Sequence, residues 1–364
     1  MQNRIIAETG TSAYGGHCAA LRFSGKRISV LPGLPEIGSV FSEEVEKLNS
    51  GFPMLGKTML YSSPMKSIEE QILELKKERG AIIIAHNYQV DEVQAIADFT
   101  GDSLELSRKA AQLTEEVIVF CGVHFMAETA AILSPEKTIL IPDPHAGCPM
   151  ADMITAEKVR EIKAEHPGAK VVCYVNSSAE VKAESDICCT SSNAVDVVKS
   201  LGNVEVIFVP DRNLGAFVAE RLGKKLILYN GFCPTHERIR DVDVLKLMEK
   251  HPDAPVLAHP ECSEPVRNLA DELLSTGQMC RRAKESTHKE FIIATELGIN
   301  YRLRTENPGK KFYPVNPDRA VCPNMKKITL EKILWSLQDM KHRVIVPPEI
   351  ADRAAGAIQR MLAV

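Results

Sequence analysis

From residue 81 the sequence repeats itself with a period of about 85–88 residues, and no other feature limits the fold as strongly. A fixed period of self-similarity means one supersecondary unit used several times. The three copies open with Ala81-Ile-Ile-Ile-Ala-His86-Asn-Tyr88, Lys170-Val-Val-Cys-Tyr174-Val-Asn176 and Pro255-Val-Leu-Ala-His259-Pro-Glu261. Each is a short apolar run that reads as a buried strand and ends in polar groups two residues apart. A two-residue step puts both polar side chains on one face of the strand. Twelve residues after the first polar group stands an aspartate: Asp98, Asp186 or Asp271. Five residues further stands a hydroxyl: Ser103, Ser191 or Thr276.

The rest of each copy follows the same order. A helix comes after the first strand, as in Asp91–Phe99 and Glu264–Glu272, then a short strand, then a second helix. Third strands read over 116–121, 205–209 and 290–295, and fourth strands over 137–142, 225–229 and 311–315. Alternating strands and helices predict parallel sheets with right-handed crossovers. The fold class is therefore α/β: three repeated αβα domains, each with a short four-stranded parallel sheet, related by pseudo-threefold symmetry. The expected boundaries are 65–150, 151–235 and 236–325, followed by a C-terminal helical segment, 326–364. Ahead of them, residues 1–64 read as a glycine-punctuated extension in which only Glu43–Leu48 looks helical, and no function is assigned to it. Ser67–Lys77, with apolar Ile68, Ile72, Leu73 and Leu75 among charges, predicts an amphipathic helix.

Ten cysteines stand out in this 364-residue chain, and no two form a C-x-x-C. That removes zinc ribbons, thioredoxin-type redox pairs and bacterial ferredoxin runs. Any metal ligands must be far apart in sequence. The repeat selects three of the ten: Cys148, Cys233 and Cys322, one shortly after each fourth strand, each followed by proline. Cys18, Cys121, Cys173, Cys188, Cys189, Cys262 and Cys280 have no equivalents across the copies and read as small buried hydrophobes. A net charge of −4 argues against a nucleic-acid footprint or a polybasic membrane patch. The start of the chain lacks a secretory apolar region, which points to the cytoplasm.

Three thiolates without a fourth ligand suit a [4Fe–4S] cluster with one open iron. An open iron is a Lewis acid and suits dehydration rather than electron transfer. In parallel sheets ligands bind beyond the carboxyl ends of the strands. His86 and Tyr88, Tyr174 and Asn176, and His259 and Glu261 would face that place, with acid–base chemistry available near neutral pH. Ser103, Ser191, Ser192, Ser275 and Thr276 stand where a strand gives way to a helix, a position suited to anions. For Asp98, Asp186 and Asp271 a structural hydrogen-bonding role is expected.

These residues carry a resemblance to a known family. The chain resembles the quinolinate synthase (NadA) family over about Ser67 to Met361. The matching stretches include Ala85-His-Asn-Tyr-Gln89, Gly101-Asp-Ser-Leu104, Phe125-Met-Ala-Glu128, Gly147-Cys-Pro-Met150, Tyr174-Val-Asn-Ser177, Thr190-Ser-Ser-Asn-Ala194, Gly231-Phe-Cys233, His259-Pro-Glu261 and Cys322-Pro-Asn-Met325. The resemblance implies condensation of iminoaspartate with dihydroxyacetone phosphate to quinolinate, on the route to NAD, and functional coupling to an L-aspartate oxidase. It implies cluster ligands at Cys148, Cys233 and Cys322. It implies an active site of His86, Tyr88, Ser103, Tyr174, Asn176, Ser191, Ser192, His236, His259, Glu261 and Thr276, with Tyr88, His259 and Glu261 as acid–base candidates. His236 enters only through the resemblance. The C-x-x-C before the third ligand of some relatives is absent, because position 319 is Arg. Two other readings compete: another cluster-dependent hydro-lyase acting on a dicarboxylate, and a non-catalytic iron–sulfur sensor.

Overall fold

The computed structural model describes residues 66–364 and, before them, the backbone of 6–11, 17–23 and 26–29. The chain divides into two units, Met1–Met65 and Lys66–Val364. In the first, β1 (Ile6–Thr11), β2 (His17–Phe23) and β3 (Lys26–Ser29) form an antiparallel sheet in that order. The helix expected at Glu43–Leu48 and the side chain of Cys18 lie outside the described residues.

The second unit opens with the amphipathic helix Ile68–Glu78. Ser67 caps it, and Glu70 returns a hydrogen bond to the Ser67 N–H. Three sheets follow. The first comprises β4 (Ala81–His86), β5 (Phe99–Gly101), β6 (Val117–Cys121) and β7 (Thr138–Leu140). The second comprises β8 (Lys170–Tyr174), β9 (Ile187–Cys189), β10 (Val206–Val209) and β11 (Ile227–Leu228). The third comprises β12 (Val256–Ala258), β13 (Glu272–Leu273), β14 (Glu290–Ala294) and β15 (Lys311–Pro314). Every sheet is wholly parallel, with its strands in the spatial order second, first, third, fourth. The fold is α/β with three four-stranded parallel sheets, as the repeat predicts.

The repeat is visible in single hydrogen bonds. The carboxylates of Asp98, Asp186 and Asp271 accept the N–H of Ile83, Val171 and Val256, each fifteen residues upstream, at 2.8, 2.9 and 2.7 Å. The backbone N–H of each aspartate returns a bond to the carbonyl of the same residue. Each aspartate thus clasps the start of the second strand to the first. This ends the preceding helices early: they run only over Asp91–Ile96 and Glu264–Arg267, shorter than the sequence pattern suggests. Three residues past each third strand, the N–H groups of His124, Arg212 and Leu297 bind the carbonyls of Ala146, Gly231 and Ala320 at 2.7, 2.8 and 2.8 Å. Each of these carbonyls lies two residues before a selected cysteine, so all three cysteine loops hang from the strand ends in the same way. The contact is close enough at Gly231 that a Cβ would lie 2.5 Å from the Pro210 carbonyl oxygen.

Strands β4 and β6 are buried along their whole length, as sheets covered by helices on both faces require. In the third sheet, Leu257, Phe291 and Ile293 join the large core, while Val256, Ala258, Ile292 and Ala294 point to a second, smaller one. Cys121, Cys173, Cys188, Cys189, Cys262 and Cys280 are all buried among these apolar side chains. The last two helices pack back onto earlier layers. Leu330–Asp339 lies against Ile68–Glu78, and Pro348–Leu362 against Ala179–Ala183 and β9. Among the described residues no helix is long and apolar enough to cross a membrane.

Candidate active site

The carboxyl ends of the first strands open on one cavity of about 630 Å³, its mouth included. Its wall holds His86, Tyr88 and Ser103 from the first repeat, Tyr174, Asn176 and Ser191 from the second, and His259, Glu261 and Thr276 from the third. His236 and the cysteines Cys148, Cys233 and Cys322 line it as well. Of the strand-end and helix-start residues singled out in the sequence, Ser192 and Ser275 do not. The Ser192 hydroxyl donates to the Asp102 carboxylate at 2.6 Å and sits 2.7 Å from the Ser275 hydroxyl, behind the wall.

Glu261 organises the polar groups. Burial disfavours its charge, but His236 and His259 beside it, with hydrogen bonds from His236 and Tyr174, hold its pKa well below the usual carboxylate range. The Tyr174 hydroxyl donates to Oε1 at 2.6 Å, and His236 Nδ1 lies 2.7 Å from Oε2. An ionised carboxylate only accepts, so Nδ1 of His236 carries the proton. Its Nε2 is then the acceptor, 2.8 Å from Thr295 Oγ1, which in turn lies 2.5 Å from the Tyr88 hydroxyl. Tyr88, Thr295, His236 and Glu261 therefore form one continuous proton path. Burial, reinforced by Glu261, raises the Tyr88 and Tyr174 hydroxyls well above the ordinary tyrosine value. Both remain proton donors at neutral pH.

His86 and His259 share one device. The N–H two residues on, from Tyr88 and Glu261 respectively, donates to Nδ1 at 3.1 and 3.2 Å. Each ring proton must then sit on Nε2. Burial pushes His86 down to about 4 and His259 down to about 3, against the pull of nearby carboxylates. Both face the cavity as neutral N–H donors, and His259 Nε2 lies 3.2 Å from Ser191 Oγ. Asn176 Oδ1 is buried without a hydrogen-bond partner, which leaves an acceptor for a ligand N–H or O–H.

Burial pushes Cys148 up to about 12, with Cys322 adding to the rise, and Cys233 well above its ordinary value. Thiols packed this way release protons when a metal binds. Among the described residues, three donor side chains close to within 4.8 Å of one another at Cys233, His236 and Glu261, and the three cysteines are not such a group. The hydrogen bonds of His236 to Glu261 and to Cys233 Sγ account for that grouping. A single tetrahedral zinc would draw sulfurs to about 3.8 Å apart, from a Zn–S distance of ~2.3 Å. The three cysteines line one cavity, and at least one pair of their sulfurs stands wider than that.

Several groups were not foreseen: Glu296 and the apolar Phe125, Met126, Met150 and Met325 in the cavity wall, and Thr295 bonded to Tyr88 and His236. Glu296 had a legible signal. It stands two residues past a third strand, where the second copy also has an acid, Asp211. Thr295 had none, since the matching positions are Gly122 and Pro210.

Three parallel α/β units sharing one buried acid–base cavity define an enzyme whose active site no single unit could build. The sequence model of the NadA family, described as quinolinate synthetase A protein, matches residues 70–363. Relatives named quinolinate synthase include one from Dehalococcoides mccartyi strain CBDB1, 61% identical over 297 residues, covering 82% of this chain and 98% of that protein. Another, from Geobacter metallireducens, is 56% identical over 298 residues, 82% of this chain and 98% of its own. Quinolinate synthase 2 of Methanosarcina acetivorans is 57% identical over 297 residues, 82% of this chain and 96% of its own. The chain belongs to the NadA family.

Proposed function

We propose that this enzyme condenses iminoaspartate with dihydroxyacetone phosphate to give quinolinate, releasing phosphate and water, on the route to NAD. The names of its relatives and the chemistry of the cavity support the reading together. The observation that carries it is the meeting of one cysteine from each repeat with the Glu261–His236–Thr295–Tyr88 path in a single buried cavity.

Cys148, Cys233 and Cys322 would hold a [4Fe–4S] cluster with one open iron. When bound, that group supplies a Lewis acid for loss of hydroxide without redox change. The chain's own residues account for the remaining steps. Ser103 and Thr276 open ten-residue helices and line the cavity, where their hydroxyls can donate to carboxylate or phosphate oxygens. Neutral His86 and His259 donate Nε2–H to a carbonyl or phosphate oxygen without adding a charge. Tyr88 takes a proton from the substrate as its own passes through Thr295 to His236 Nε2, and Glu261 balances the imidazolium that forms. Glu261 stays ionised and keeps His236 in the tautomer the path needs. Phe125, Met126, Met150 and Met325 keep water from a reactive imine. An L-aspartate oxidase would supply that imine.

Anaerobic purification with iron and sulfide analysis, followed by a quinolinate assay, tests the proposal. The expected result is a coloured protein that forms quinolinate only with both substrates. A colourless, iron-free active protein would overturn the cluster. Product formed without dihydroxyacetone phosphate would overturn the substrate pair and favour another hydro-lyase.

A further inference from the structure

The residue two past each third strand is Val123 in the first repeat but an acid, Asp211 or Glu296, in the other two. Both acids are completely buried. Glu296 Oε1 accepts the N–H of Cys322 at 3.0 Å, and Oε2 accepts the N–H of Gly298 at 2.7 Å. Lys326 Nζ lies 2.9 Å from the same carboxylate. Asp211 Oδ1 accepts the N–H of Leu214 at 2.7 Å, while its Oδ2 is buried without a hydrogen-bond partner. In all three repeats the turn that follows holds the cysteine carbonyl, through the N–H groups of Asp152, Glu237 and Lys326 at 3.2, 3.0 and 3.4 Å; Glu296 adds a bond to the Cys322 N–H.

We propose that Glu296 is a positioning residue that fixes the backbone of Cys322, so that its thiol stands where the cluster takes it. This rests on the cluster reading given above. A carboxylate cut off from water is tolerated only inside a shell of donors, so donors and acid lock each other in place. Hydrogen bonds behind metal ligands orient them, and their loss commonly lowers metal affinity by 10–100-fold. Lys326 balances the Glu296 charge, which lets a buried acid stand beside a thiolate.

The test uses the full chain with Glu296→Gln and Glu296→Ala. In the metal-free protein, amide exchange of the peptide spanning 320–325 is read by mass spectrometry. It is expected to rise at least tenfold in Glu296→Ala and less in Glu296→Gln, which keeps one acceptor oxygen. After anaerobic reconstitution, iron per chain is expected to fall at least threefold in Glu296→Ala. In Glu296→Gln the spectrum of the reduced cluster is expected to shift. Unchanged iron and spectra in all variants would overturn the inference, whatever the exchange shows. Wild-type protein that takes up no iron refutes the cluster reading instead. The exchange measurement then decides separately whether Glu296 anchors the Cys322 loop.

Discussion

At the scale of the residue, a carboxylate buried as deeply as Glu261 stays charged only because its neighbours are chosen for it. Two imidazoles, a tyrosine hydroxyl and the Asn176 amide surround it. Its stable charge fixes the proton on His236 Nδ1 and so gives the path to Tyr88 a direction. Replacing Thr295 by Val keeps the shape but removes the hydroxyl between Tyr88 and His236. Turnover in the quinolinate assay is expected to fall by about 10²-fold with iron content unchanged, a typical loss for one acid–base element. His86 makes a separate prediction. Its unfolded pKa is ~6.5, and in the fold burial lowers it to about 4. Between those values the unfolded chain binds more protons, so stability present above pH 6.5 is lost as pH falls toward 4. From pH 7 to 5 this one residue costs about 2 kcal/mol. His86→Asn retains an acceptor for the Tyr88 N–H, and urea melts of the metal-free protein should show the acid loss reduced by that amount.

At the scale of the element, the repeat could be read to the residue where a strand or cap obeys a local rule. Apolar runs gave the buried strands, and the spacing of Ile68, Ile72, Leu73 and Leu75 gave the first helix. Helix lengths after the first strands were not readable. Helical periodicity continues through Asp98 and Asp271, but those side chains prefer the N–H groups of Ile83 and Val256 on the neighbouring strand. Such a bond between distant segments competes with helix propensity and leaves no trace in a local pattern. The clasp has a measurable worth. Asp186→Ala leaves the N–H of Val171, a buried residue on the interior strand β8, without its partner. A loss of about 1–2 kcal/mol in urea unfolding is expected, and Asp186→Asn, which keeps an acceptor, should recover most of it.

At the scale of the whole molecule, the three repeats are joined behind the cavity by one acid. Asp102 Oδ1 caps the helix Ser103–Gln112 through the N–H groups of Leu104 and Glu105. Its Oδ2 receives the hydroxyls of Ser192 from the second repeat and Ser275 from the third, at 2.6 and 2.9 Å. The packing there is tight: a Cβ on Gly277 would fall 2.7 Å from the same oxygen. Asp102→Ala removes a cap and leaves two inward hydroxyls unpaired, so a destabilisation of about 3 kcal/mol is expected in urea unfolding. Asp102→Asn should cost less, because a serine hydroxyl can accept as well as donate. The sequence by itself determined the three parallel units, the strand-end residues and the three cysteines that stand apart from the other seven, because each follows from a local period repeated three times. Only the tertiary structure decided that Ser192 turns away to bind Asp102, that Thr295 links Tyr88 to His236, and that Glu296 reaches the Cys322 backbone. Those choices depend on atoms tens to hundreds of residues apart competing for the same buried hydrogen bonds. No periodicity encodes which of them wins.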